Sequence, residues 1–255
     1  MENFFTVLSQ NVWFDPEKRI DRTQSLINNI KEIKPDVICL QEVTESVLSY
    51  IKTNLKTYYI FPKELDRTYG CVILSKYPIK NTKVYELTTA MGRNMLLTKI
   101  MVQIKKQVDD TILIENKYII ISTCHYESEF GKNNVNKLKQ FKETEEILNK
   151  LKSTYKNFIH CADTNIVKEE DKYYFQNDWT DVWEKMGCNE ENNYTYDSLT
   201  NDNLKNRKIK LQTRIDRCIY QSDEFEPVEF RLIKGNPEYI QPSDHHGIYS
   251  KFKFI

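Results

Sequence analysis

The chain has 255 residues, 40% of them hydrophobic, and 37 Lys+Arg balance 37 Asp+Glu. Zero net charge excludes a protein that coats nucleic acid through bulk positive charge and leaves only a local basic groove. The length suffices to bury a substantial core in one unit.

In chain order, FFTVL (4–8) reads as a strand. RIDRTQSLINNIKEI then sets Ile20, Leu26, Ile27, Ile30 and Ile33 on one helical face, and Pro35 stops it. DVICL (36–40) is a buried strand and 44–55 a helix. Strand-like segments follow at 70–75, 82–88, 95–105 and 117–124, with KKQVDD marking a turn region. Residues 134–152 are helical and NFIHC (157–161) is another buried strand. Less regular chain from about 166 to 212 leads to strands at 214–220, 227–233 and 247–254. No repeat, low-complexity linker or composition break marks a boundary, so residues 1–255 are expected to form a single domain. Many strands and few helices predict an α/β sandwich of sheets flanked by helices.

The N-terminus lacks a basic region ahead of a long apolar stretch and does not read as a secretory signal. No apolar run approaches the roughly 20 residues that span a bilayer, so no membrane partner is expected. Six cysteines stand singly at 39, 71, 124, 161, 188 and 218, without CxxC spacing. They read as buried free thiols of an intracellular protein in a reducing compartment, and argue against structural zinc.

The informative polar residues lie just beyond or at the ends of buried strands: Asn11, Glu42, His125, Asp163, Asn165, Asp216 and the Asp244-His245 pair. Polar side chains placed there converge on one rim of a sheet. Each alone has an ordinary reading. Glu42 stands where a helix begins, Asp163-Thr164 suits a turn, and a single His125 suits a sheet edge. Together they offer a carboxylate for a hard cation, an Asp-x-Asn pair, and histidines with carboxylate partners. Mg²⁺ favours oxygen donors and retains several waters. An Asp-oriented histidine donates well to a phosphoryl oxygen, and a second Asp can activate water. This is the equipment of metal-assisted phosphodiester hydrolysis. Four histidines without HExxH spacing disfavour a zinc peptidase.

In this order, "QNVW", "LQEV", "CHYES", "ADTN", "RID" and "SDHHG" resemble the endonuclease/exonuclease/phosphatase superfamily over nearly the whole chain. "MGRNMLL" (91–97), "DVWE" (181–184), "YTYD" (194–197) and "RIDR" (214–217) are similar to its tyrosyl-DNA phosphodiesterase 2 group. The resemblance implies a four-layer α/β sandwich, two packed mixed sheets between helices. It implies that Glu42 binds Mg²⁺, with Mn²⁺ able to substitute, that Asp244 serves the metal's outer shell, and that Asn11 helps hold phosphate and metal waters. Asp163 becomes the general base, Asn165 a positioning group, His245 the donor to the scissile phosphate and Asp216 its orienting partner. His125 and Ser128 resemble phosphate contacts, and Arg93, Tyr69 and Tyr196 resemble residues lining a DNA groove. His246 stands where the family usually has Trp and reads as packing or surface. His160, inside a strand, reads as structural.

The implied substrate is single-stranded or 5′-overhang DNA bearing a 5′-tyrosyl adduct, with 5′-tyrosyl RNA as a second form. A phenolate leaving group, conjugate-acid pKa about 10, needs less from a general acid than a sugar alkoxide does. KNRKIK (205–210) reads either as a phosphate contact or as a solvated loop. A monomer is expected, in the nucleus because of the substrate, otherwise in the cytoplasm. Two residues depart from the group: Ala162 replaces a Gly, and Val167 stands where an Arg is common with Lys168 beside it; with the first strand this near residue 1, the ubiquitin-binding domain of many relatives is not expected. Rival readings are an abasic-site endonuclease, a deadenylase, a lipid or inositol phosphodiesterase, and an inactive binding module. The last would lack a core residue, and Asn11, Glu42, Asp163, Asn165 and His245 are all present.

Overall fold

Strand–helix–strand units in each half of the chain build the molecule. The computed structural model describes residues 3–128, 135–175, 178–235 and 238–255. In chain order the elements are β1 (Phe4–Asn11), α1 (Arg19–Ile33), β2 (Val37–Thr44), α2 (Glu45–Asn54), β3 (Tyr59–Phe61), β4 (Tyr69–Ser75), β5 (Lys80–Glu86), β6 (Asn94–Val108) and β7 (Thr111–His125). There follow α3 (Val135–Leu151), β8 (Phe158–Asp163), β9 (Thr180–Asp181), α4 (Val182–Lys185), β10 (Tyr196–Asp197), β11 (Gln212–Thr213), β12 (Asp216–Gln221), β13 (Phe225–Ile233) and β14 (Gly247–Phe254). Position 134 of the predicted third helix lies outside the described residues.

Two six-stranded sheets result, ordered β13-β14-β1-β2-β4-β3 and β5-β6-β7-β8-β12-β9. Each has one parallel pair at its centre, β1/β2 in the first and β7/β8 in the second, flanked by antiparallel neighbours. Parallel strands need a crossover, which α1 and α3 provide. Inward side chains of both sheets, among them Val7, Cys39, Ile73, Ile100, Ile121, Ile159 and Phe252, make the central core. The outer face of the first sheet packs on α1 and α2 through Leu26, Ile30, Leu48 and Ile51. That of the second packs on α3 through Phe141 and Leu148. The four-layer expectation holds.

Local differences from the sequence reading have physical causes. Ile20 is 75% exposed, because the first turn of α1 serves the preceding loop: Arg19 and Arg22 turn back to its carbonyls. β2 continues past Leu40 through a register shift against β4 between Leu40 and Val43, and Glu42 there has φ +60°. KKQVDD is mostly strand. The β6–β7 ladder runs unbroken to Val108↔Thr111, and only Asp109 (φ +52°) and Asp110 turn. Of the six cysteines, Cys188 is exposed and the other five are buried. The region 166–212 carries short strands, α4 and 3-10 segments of three to six residues.

Candidate active site

The carboxyl ends of both parallel pairs open on the same rim. β1 ends at Asn11 and β2 presents Glu42, while β7 ends at His125 and β8 at Asp163. Asp163 is register partner to His125 on one side and to Asp216 at the start of β12 on the other. Three of the expected residues therefore stand in one row across the second sheet. The shift in β2 re-aims Glu42 towards this row, as bulges beside active sites do.

Asn11, fully buried, donates its Nδ2 to Asp163 Oδ2 at 2.8 Å. Asp163 Oδ1 accepts the Asn165 N–H at 3.1 Å, and Asn165 (φ +48°) anchors its own amide on the Tyr126 carbonyl at 3.2 Å. Burial, and then the neighbouring Asp216 charge, push the Asp163 carboxyl up to about 7. His245 Nδ1 meets Asp216 Oδ2 at 2.9 Å, and its Nε2 lies 4.0 Å from Asp163 Oδ2 and 3.9 Å from Asp244 Oδ1. Burial alone would lower the His245 pKa, but Asp216, Asp244 and Asp163 together hold it well above the ordinary value. These carboxylates favour the doubly protonated imidazole.

His125 is the opposite case. Burial, the adjacent Arg93 and then His245 depress its pKa well below the ordinary value, so it is neutral. Arg93 Nη1 lies 3.0 Å from His125 Nδ1, and a guanidinium can only donate. Nδ1 therefore accepts, and the proton sits on Nε2, which faces Asp163 Oδ2 at 3.4 Å and Glu42 Oε1 at 3.7 Å. Glu42 Oε2 accepts the Phe14 N–H at 2.9 Å.

Among the described residues, two groups have ligand atoms all within 4.8 Å of one another: Glu42, His125 and Asp163, and Asp163, Asp216 and His245. With His125 Nδ1 engaged and Nε2 protonated, the first group offers carboxylate oxygens. Such donors fit a hard divalent cation and not a thiophilic one. Asp244 belongs to neither group. It accepts from Ser243 Oγ at 3.2 Å, and the Glu42 charge acts on it.

The expected substrate residues flank the row. Arg93 reaches Tyr69 Oη at 3.5 Å, and with Arg67, Met91 and His125 they line a pocket of about 120 Å³. Tyr69 stacks on Phe14, centroids 4.6 Å apart. Tyr196 sets its ring edge-on to His245 at 5.3 Å. Ser128 turns its hydroxyl to Met91 Sδ at 3.4 Å, on the Arg93 loop. KNRKIK is exposed, and Arg207 within it acts on the Tyr196 hydroxyl through charge. Val167 is half-buried and Lys168 exposed. His246 is buried, its N–H on the Thr195 carbonyl at 2.7 Å. His160 is buried between Ser122 Oγ and Tyr126 Oη.

Sequence reasoning gave no role to the residues that hold these in place. Glu127 takes Thr89 Oγ1, Ala90 N and Met91 N on one carboxylate oxygen, and Thr89 Oγ1 in turn accepts the Arg93 N–H. Gln41 joins the sheets beneath the site by donating to Thr123 Oγ1 at 2.9 Å. Gln10 Nε2 donates to the carbonyls of Asn11 and His245. Thr195 Oγ1 accepts the Asp216 N–H at 3.0 Å. Glu127, Gln41 and Thr195 sit inside "CHYES", "LQEV" and "YTYD", so the motifs carried the signal without a role.

Tyrosyl-DNA phosphodiesterase 2 of Xenopus laevis is 26% identical over 268 residues, covering 100% of this chain and 68% of that protein. The Homo sapiens protein of the same name is 25% identical over 270 residues, covering 99% and 69%. The structure of D. rerio TDP2 complexed with single strand DNA product shares the fold, with a TM-score of 0.82 at 24% identity over 98% of this chain and 99% of that one. A model of the Endonuclease/Exonuclease/phosphatase family matches residues 8–245, and the chain belongs to that family.

Proposed function

We propose that this chain is a Mg²⁺-dependent phosphodiesterase that hydrolyses 5′-phosphotyrosyl–DNA bonds and leaves a 5′-phosphate. The single observation that carries the chemistry is the row His125–Asp163–Asp216 capped by Asn11, with Glu42 and His245 on either side. The relatives' name and the Arg93–Tyr69 pocket favour the tyrosyl substrate over other phosphodiesters.

Glu42 would hold the cation, with Asp163 beside it and Asp244 in the outer shell. When bound, the cation supplies positive charge against the phosphoryl oxygens. Asp163 takes a proton from the attacking water, and Asn11 and the Asn165 N–H hold the carboxylate in place. His245, its Nδ1–H fixed on Asp216, presents Nε2–H to a phosphoryl oxygen. Neutral His125 offers a second Nε2–H from the other side. The new P–O bond forms as the bond to tyrosine breaks, and the phenolate leaves without a dedicated acid. Phe14, Tyr69 and Tyr196 offer rings for unpaired bases, each worth roughly 1–3 kcal/mol irrespective of sequence. Mn²⁺ in place of Mg²⁺, a 5′-tyrosyl RNA substrate, a monomeric state and nuclear or otherwise cytoplasmic residence belong to the same reading.

The test is cleavage of a 5′-phosphotyrosyl oligonucleotide, with Mg²⁺ and with chelator, beside a duplex bearing an abasic site. Metal-dependent release of a 5′-phosphate from the first alone supports the reading. Cleavage of the abasic duplex alone overturns the substrate and leaves the metal chemistry standing.

A further inference from the structure

Among the described residues Arg22 is the largest fully buried side chain, 1% exposed on the inner side of α1. Its hydrogen bonds go to backbone carbonyls of the β1–α1 loop: Val12 at 2.9 Å and Trp13 at 3.1 Å from Nη1, Asp15 at 2.5 Å from Nη2, and Glu17 at 2.9 Å from Nε. The guanidinium also lies over the Trp13 ring, 4.5 Å from its centroid. Burying a cation is costly unless its donors are well matched. The loop it serves carries Phe14, whose ring faces the substrate side, and it borders Asn11 and Glu42 of the proposed chemistry.

The link is the peptide plane. In a trans peptide the C=O and the following N–H point in opposite directions. The Val12 carbonyl and the Trp13 N–H share one peptide, and the Trp13 carbonyl and the Phe14 N–H share the next. Arg22 holds both carbonyls from one side. The two N–H groups are thereby turned to the other side, where Trp13 N meets Asn11 Oδ1 at 2.8 Å and Phe14 N meets Glu42 Oε2 at 2.9 Å. Trp13 has φ +58°, a left-handed conformation that a large side chain does not adopt unaided. The loop therefore needs an outside constraint, and Arg22 is the group in contact with both peptides.

We propose that Arg22 is a positioning residue for the cation site, acting through the Val12–Trp13 and Trp13–Phe14 peptides to orient Asn11 and Glu42. This rests on the reading of Glu42 as the metal ligand. Arg22→Lys keeps the charge in the fold but removes Nε and Nη2, whose bonds to Glu17 and Asp15 fix Nη1 on the two carbonyls, and leaves a rotatable point charge. The measurement is Mg²⁺ binding to the whole protein by calorimetry and by the Mg²⁺-dependent rise in Tm, followed by turnover at saturating Mg²⁺. Partners one step removed from a metal ligand typically alter affinity 10–100-fold, so the Mg²⁺ midpoint of Arg22→Lys should rise roughly tenfold. Saturating Mg²⁺ should restore most of the lost turnover, and the loss that remains reports the Asn11 contact to Asp163. A lowered Tm with an unchanged Mg²⁺ midpoint overturns the proposal. Should Arg22→Lys fail to fold, an amide-to-ester replacement at Phe14, made by ligation, removes the N–H that reaches Glu42 and weakens the Trp13 carbonyl that Arg22 holds. It should raise the Mg²⁺ midpoint too, and an unchanged midpoint there overturns the proposal equally. Glu42→Gln is the control. If it leaves the midpoint unmoved, the ligand reading itself falls. If it moves the midpoint and Arg22→Lys does not, only Arg22 loses its role.

Discussion

Asn11 and Asp163, which come from different sheets, meet in a 2.8 Å hydrogen bond between Nδ2 and Oδ2. Both are buried, so this bond fixes the first sheet's rim against the second at the point where the proposed base stands. It also sets an asymmetry among the carboxylates. Asp163 is held by neutral amides, while Asp216 faces a charged imidazole.

Asp163→Asn should separate stability from activity. Turnover of the 5′-tyrosyl substrate should fall by roughly 10²–10⁴. The folded carboxyl is raised to about 7 by burial and by Asp216, so ionising it costs stability between its ordinary value and pH 7, fully above that. In chelator at pH 8, the variant should therefore have a higher Tm than the parent, and the advantage should shrink as pH falls towards 4. A variant less stable than the parent at pH 8 would contradict the assigned strain.

Asp216 and His245 should behave as one unit. Asp216→Asn is expected to lower kcat about 10–100-fold by releasing the charged imidazole from its 2.9 Å partner. In an Asp216→Asn/His245→Gln double variant the loss should roughly match that of His245→Gln alone. Additive losses in such a cycle would show that Asp216 acts on the reaction independently.

Gly247 supplies room for Gln10. A Cβ there would lie 2.5 Å from Gln10 Oε1, while the same amide is tied to the Asn11 and His245 carbonyls. Gly247→Ala should destabilise the fold by about 1–3 kcal/mol in urea titration. Adding Gln10→Ala should recover part of that loss. A double variant as unstable as the sum of the singles would mean the two positions do not compete.

His160 should govern part of the acid sensitivity. Burial between Ser122 and Tyr126 lowers its pKa to about 3, against roughly 6.5 in the unfolded chain. The unfolded state then binds the extra proton, so this contribution is complete above pH 6.5 and is lost as pH falls towards 3. The slope is up to about 1.4 kcal/mol per pH unit. His160→Gln should flatten the stability profile across that window, measured by urea midpoints at three pH values. Parallel profiles would refute the assignment.

Much of this was written locally. Short β-branched runs marked most long strands, because burial on both faces demands them, and each chemical residue sat where such a run ended. That is why Asn11, Glu42, His125, Asp163, Asp216 and His245 could be named before any fold was known. Local pattern misled where a residue served a distant partner. Ile20 has the periodicity of a core position yet is exposed, and Arg22 has the character of a surface residue yet is buried against the β1–α1 loop. Only the tertiary structure decided that the two parallel pairs open on one rim, that His125 is neutral and His245 charged, and that Glu127, Gln10 and Gln41 hold the site together. The reason is physical: protonation and orientation depend on burial and on neighbours up to 235 positions away in the chain, which composition and spacing do not encode.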